Sequence, residues 1–334
     1  DKYNPRVVLT ICVILFSIGF ILLSRISEPW ELYLFYGVLG GIGVAAHEVV
    51  TLSTIARWFK KNLGLMSGIV KAGSGIGQAS IPLIAAIMIT QIGWRDTCLA
   101  LGFMSLIIMS IVAQVFKKDP QEIGEQPLGE QNKAIKIDKI REPKSHPNKI
   151  YKQKIFWILC FAKLSDMFCL FTIITHIVPH GIDLGLTTQT AVTVLSTIGG
   201  CSILGRIIFG SCYDYFGAQR SLMICFITLF ASFILLQLTN ELYWLFLFAF
   251  VYGIAHGGFF AIAPPSVAHF FGTKSHGRIF GTILFFGTLG GTIGPIIAGK
   301  IFDHTNSYNA AFFLITGVSL LGFLLASQLR TRAA

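Results

Sequence analysis

Glu48, Lys71, Lys163, Asp166 and Arg206 stand inside long apolar runs of this chain. At the centre of a bilayer such a group costs about 2.5–3.5 kcal/mol on insertion scales, so each needs either a task or a way to the surface. Arg206 carries a planar guanidinium, which holds a carboxylate by two parallel hydrogen bonds as a lysine cannot. Its alternative is to snorkel, because its run ends within a turn. Lys71 faces the same choice near the start of its run, between binding an anion and reaching the surface along its stem. Lys163 and Asp166 are spaced i, i+3, one helical turn apart. They make either a self-contained ion pair or a carboxylate that takes up and releases a proton, since burial disfavours the charged form of a carboxyl. His47, next to Glu48, points about 100° away from it on a helix, so the two do not face one cavity.

The elements that must position these groups are membrane spans. With 54% hydrophobic and 13% charged residues and a mean hydropathy of +0.70, the chain is too apolar for a soluble globular domain. Its 34 glycines and 29 phenylalanines suit helices that pack closely in lipid. Ten apolar runs are long enough to cross, near 7–24, 32–55, 64–90, 95–116, 155–178, 187–209, 221–238, 242–263, 279–299 and 309–329. A charged, proline-containing stretch, 117–154, separates the first four from the last six. With the chain start in the cytoplasm, only Arg25, Arg95 and Lys300 fall in loops on the far side. Positive loops stay inside, so a multi-pass cell-membrane protein with cytoplasmic ends is expected. The net charge of +10 lies in those loops and implies no nucleic-acid partner. The seven cysteines show no C-x-x-C pairing and read as small core hydrophobes. GSGIG at 73–77 lies inside an apolar helix with no strand before it, and His47-Glu48 has Thr51 where a zinc-binding helix has its second histidine. Neither supports an enzyme, and no metal or cofactor is expected.

One constant offset pairs Asp1 with Asp214, Glu28 with Glu241, Gly40 with Gly253, Gly64 with Gly277, Gly77 with Gly290 and Pro82 with Pro295. Acidic and proline matches in register with the spans point to an internal duplication. Two spans precede Asp214, and their counterparts would precede Asp1. The expectation is an all-α membrane protein of twelve helices in two six-helix repeats, ten of them in this chain and the first two absent. Residues 1–116 would be spans 3–6 of the N-terminal half, 117–154 a cytoplasmic linker, and 155–334 the six-helix C-terminal half.

Gly210, Asp214, Gly217 and Arg220 follow the order G-x-x-x-D-x-x-G-x-x-R. This resembles the loop that joins paired transmembrane helices in the major facilitator superfamily of transporters. The opening DKYNPRVVL is similar to the first-half form of that loop, with Asp1, Arg6, and Asn4 where the family usually has glycine, which implies a positive φ there. The stretches 56–85, 93–102 and 271–308 are similar to the monocarboxylate and oxalate/formate branch. The resemblance implies a carrier of a small organic anion, a monocarboxylate, working by alternating access with protons as the coupling ion. Rival readings are an anion exchanger without protons, a carrier of unrelated cargo, and a membrane sensor that transports nothing. It further implies that Arg206 is the substrate-binding arginine, that His256 and Phe260 line the acid site, and that Glu48 faces the cavity; Lys71, as a buried charge, is a further substrate-binding candidate. Ser202 stands where proton-coupled relatives can place an acidic residue, so the proton-binding carboxylate would have to come from Asp166 or Glu48, or from the two spans expected before Asp1. No lysine occurs in 279–299, where oxalate exchangers are expected to have one. The loops of Asp1 and Arg6 and of Gly210, Asp214, Gly217 and Arg220 would be gating latches, with carboxylates favoured at helix starts. The expected partners are the anion, protons and the bilayer, around a monomer.

Overall fold

The structure is a computed structural model, and it describes residues 4–59, 61–129, 150–238, 242–273 and 275–329. Asn4 and Pro5 begin the first helix, α1 (Pro5–Leu23). The Asn4 side-chain oxygen accepts from the Arg6 N–H at 3.0 Å, and Pro5 takes the first helical position, where its missing N–H costs nothing. The φ of Asn4 is −69°. The positive φ expected there is therefore not adopted, because a capping residue needs an extended backbone to turn its oxygen onto the helix start.

Seven more helices follow: α2 (Pro29–Trp58), α3 (Leu63–Val115), α4 (Lys154–Asp183), α5 (Thr188–Leu238), α6 (Leu242–Phe271), α7 (His276–Thr305) and α8 (Asn309–Ser327). Among the described residues these eight are long and apolar enough to cross a membrane. Two are double length. α3 has 53 residues and α5 has 51, and each is broken at one glycine, Gly93 (φ 79°) and Gly217 (φ 77°). Only glycine takes that conformation without cost. The ten apolar runs fall on these eight helices, two each on α3 and α5, one on either side of the elbow glycine. The sequence suggests a loop over 210–220; the structure keeps it helical on both sides of Gly217.

The helices gather into two compact units. The first is Asp1–Lys61 with Leu83–Lys136, and the second is Asn62–Pro82 with Ile137–Ala334. In the first, α1 and α2 come close enough that a side chain on Gly43 would meet the Phe16 backbone at 2.6–2.7 Å. Such small-residue contacts are the main source of helix association in lipid, where burial of apolar surface drives little. Only part of the 117–154 stretch is described. It holds a 3-10 turn at Pro120–Ile123 and a parallel bridge between Phe59 and Leu128.

In the second unit, α4 and α6 are the inner helices, with 72% and 67% of their most apolar stretches buried, against 33% for α7 and α8. Phe226, Phe233, Phe248, Phe259, Phe280 and Phe312 fill the interior. None of the seven cysteines is in a disulfide among the described residues. α6 carries Pro264 and Pro265 in succession without ending. Side chains of neighbouring helices meet them: Tyr213 Oη donates to the Pro265 carbonyl at 2.8 Å, and His276 Nε2 to the Pro264 carbonyl at 3.0 Å.

Candidate functional site

Phe260, on α6, is surrounded by cations from three helices. Lys71 Nζ of α3 lies 4.9 Å from the ring centroid, Lys163 Nζ of α4 5.1 Å, and Arg206 Cζ of α5 5.6 Å. All of these residues belong to the second unit. An aromatic face attracts a cation through its quadrupole, by up to about 2 kcal/mol when water is excluded. Water is largely excluded here: Lys71 is 7%, Lys163 5% and Arg206 1% exposed. Neither Lys71 nor Arg206 extends to the surface, the bland alternative open to both from sequence.

Lys163 and Arg206 have distinct polar settings. Lys163 Nζ meets Asp166 Oδ2 at 3.1 Å across one turn of α4, with both side chains buried. A cavity of about 20 Å³, the size of one water, lies against this pair, Ser266, Phe259 and Ile283. Arg206 Nη1 donates to Ser202 Oγ at 2.6 Å, and that hydroxyl donates onward to the Gly199 carbonyl at 2.6 Å. The guanidinium needs Gly75 beside it, since a Cβ there would collide with Nη1. On α6, Phe248, Tyr252, His256 and Phe260 form a ladder one turn apart, with ring centroids 5.3, 5.9 and 5.3 Å from each other. Tyr252 Oη donates to the Leu170 carbonyl at 2.7 Å, and His256 Nε2 lies 3.1 Å from Gln78 Oε1 of α3.

The structure thus brings together Lys71, Lys163, Asp166, Arg206, His256 and Phe260. Glu48 is half-buried and His47 exposed on α2, in the first unit. Gln78 and Tyr252 did not stand out in the sequence. Gln78 had one available signal, an uncharged but strongly hydrogen-bonding side chain in an apolar run.

The residues of the two expected loops are placed as follows. Asp214 Oδ1 accepts from the Gly64 N–H at 2.9 Å and Oδ2 from the Leu65 N–H at 2.8 Å, so one carboxylate caps the start of α3. Gly210 makes this approach possible, since a Cβ there would lie 2.6 Å from the Gly64 carbonyl oxygen. Arg220 is exposed. Of the first-half loop, Asp1 lies outside the described residues, and Arg6 Nε donates to the Phe116 carbonyl.

Two other places carry less. A cavity of about 450 Å³ in the first unit is lined by Thr54, Ile55, Trp58, Phe59, Val112 and Phe116, and gathers little polar chemistry. At the far end of α4, His176 Nδ1 lies 3.2 Å from the Tyr308 hydroxyl, whose pKa is pushed up by burial and by nearby Asp183 and Asp303. Among the described residues no group of three His, Cys, Asp or Glu is placed to hold a metal ion.

Comparison with known proteins sets this geometry in a family. Human monocarboxylate transporter 12 is 27% identical over 92% of this chain and 64% of its own length. Human monocarboxylate transporter 10 is 25% identical over 92% and 61%, so the chain spans somewhat under two thirds of these relatives. An MFS-type transporter of Penicillium oxalicum is 26% identical over 99% and 75%. Among solved structures, the Escherichia coli fucose:proton symporter superposes with a TM-score of 0.69 at 10% identity, covering 98% of this chain and 84% of that one. A human organic anion transporter gives 0.71 at 14% identity, over 97% and 77%. At such identities the structural likeness speaks for the fold alone. The Major Facilitator Superfamily model matches residues 1–211 and 193–333, and the chain belongs to that family.

Proposed function

We propose that this chain forms the body of a secondary active transporter for a small organic anion, a monocarboxylate, moved by alternating access. The observation that carries the reading is the convergence of Lys71, Lys163 and Arg206 on Phe260 beside the carboxylate of Asp166. An anion entering such a site gains charge-assisted hydrogen bonds in a low dielectric. The names of the relatives, monocarboxylate transporters among them, support the same cargo. Residues 1–116 and 155–334 are the two halves that rock, 117–154 is the cytoplasmic linker, and both chain ends face the cytoplasm. The Asp214 carboxylate on Gly64 and Leu65 is a latch that breaks on opening.

Arg206→Lys tests the clamp, because it keeps the charge and removes the planar fork. Anion binding to the purified full-length protein should weaken by about ten- to a hundredfold, the worth of a charged hydrogen bond, with normal insertion. Equal affinities would remove Arg206 from the site and the main reason for a carboxylate cargo. Proton coupling through Asp166 rests on its burial and on the water-sized cavity beside it. Asp166→Asn should then keep exchange and lose uphill accumulation. If accumulation survives, Asp166 only neutralises Lys163, and Glu48→Gln is the next variant in the same assay.

A further inference from the structure

The cations around Phe260 give the site a sign, and Gln78 with His256 gives it a direction. The atom of Gln78 that faces His256 Nε2 at 3.1 Å is the amide oxygen, which only accepts. Nε2 therefore carries the hydrogen, and in the neutral ring Nδ1 is the nitrogen with the lone pair. That nitrogen is buried and has no hydrogen-bond partner among the described residues, on a side chain 1% exposed. Buried polar atoms are paired in the great majority of cases, so an acceptor held this way calls for a donor.

The position of that acceptor relates it to the anion. The His256 and Phe260 rings are 5.3 Å apart, and the Arg206 guanidinium lies 5.6 Å from the same Phe260 ring. The two backbones also touch: a Cβ on Gly257, the residue after His256, would lie 2.9 Å from the Arg206 nitrogen. The ring itself is held between Tyr252 and Phe260 and has little freedom to turn away.

We propose that His256 Nδ1 accepts a hydrogen bond from a hydroxyl next to the substrate's carboxylate, so that the site selects a 2-hydroxy acid over the matching 2-oxo acid. Gln78 is the positioning residue that fixes this preference by fixing the tautomer. The inference rests on the carboxylate reading of Arg206. A 2-oxo group turns lone pairs toward a lone pair, whereas a 2-hydroxyl supplies the missing donor, and an acid with neither falls between them.

Binding of 2-hydroxypropanoate, propanoate and 2-oxopropanoate to the purified full-length protein tests it. Wild type should bind them in that order, with about tenfold or more between hydroxy and oxo acid, the scale of one hydrogen bond made against one denied. Gln78→Leu releases the tautomer, so Nδ1 can carry the hydrogen and donate to the oxo group; the ratio should collapse toward one. A general loss of affinity leaves that ratio untouched. His256→Phe, which preserves the ring ladder, should bring the hydroxy acid down to the level of propanoate. A ratio near one in wild type, or an unchanged ratio in Gln78→Leu, overturns the proposal while leaving the Arg206 clamp intact. Failure of all three acids to bind overturns the carboxylate reading itself, and this inference with it.

Discussion

The first unit keeps its arginines at helix ends. Arg6 donates to the Phe116 carbonyl, Arg95 donates to the Ile26 carbonyl at 3.1 Å and lies over the Trp94 ring at 4.4 Å, and Arg57 lies 3.9 Å from Asp119, a carboxylate 38% exposed. The second unit keeps three cations in helix interiors around one phenylalanine, with a carboxylate that is 4% exposed. Cations at helix ends find carbonyls, aromatic rings or carboxylates near the surface and need no further cause, and Arg57, in the last turn of α2, meets a favourable dipole as well. Cations in a helix interior are retained against a desolvation cost that an attraction within the protein only partly offsets. The difference makes the second unit the stronger candidate for the site without appeal to any relative. It also explains why the larger cavity, in the first unit, is the weaker candidate.

The same kind of substitution in each unit would break or sharpen that contrast. The largest effect is expected for Asp166→Ala, which leaves Lys163 buried without its 3.1 Å partner. A loss of about 3–5 kcal/mol is typical of halving a buried pair, read as a steep fall in thermal unfolding temperature in detergent. Wild-type stability would mean the pair is wet, and the contrast would fail. Phe260→Leu keeps an apolar side chain and removes the quadrupole that faces three cations. About 2 kcal/mol should be lost, with weaker protection by anions in the same melt. Asp214→Ala removes a cap and should cost about 1 kcal/mol, with faster hydrogen exchange at the Gly64 and Leu65 amides. Protection of those amides that does not change would show that Asp214 is not what holds them. The smallest effect is expected in the first unit: Asp119→Ala should change stability by no more than about 0.5 kcal/mol, as for an exposed ion pair. A loss comparable to that of Asp166→Ala would erase the distinction between the units.

The spans were legible because lipid imposes a length and a composition on every crossing helix, and each of the ten apolar runs falls on one of the eight long helices, though α6 and α7 run on six to eight residues past the apolar run. The buried charges were legible for the same reason, as exceptions. What the sequence did not show is that Lys71, Lys163 and Arg206 meet at Phe260. Spacing along one helix reports which residues share its face, as with Lys163 and Asp166, and says nothing of how three helices are rotated toward a fourth. Gln78 was missed for that reason: an amide in a span is unremarkable until His256 is found opposite. Asn4 shows a different failure. Asparagine suits both a left-handed turn and an extended cap, and only Pro5 after it decides for the cap.

Pro264 and Pro265 have no N–H to give, so the carbonyls of Phe260 and Ala261 lose their donors one turn back. The stiffness of α6 is consequently uneven along its length, and its weakest station falls at the ring that carries the cations. Beyond that point the helix runs on to Phe271, a lever arm of about 15 Å at the helical rise. A bend of about 10° at the two missing rungs would carry the far end through about 2.6 Å, using the same rise. Tyr213 and His276 hold carbonyls just past that point, so the far arm of α6 is tied to α5 and α7 where the helix is least stiff.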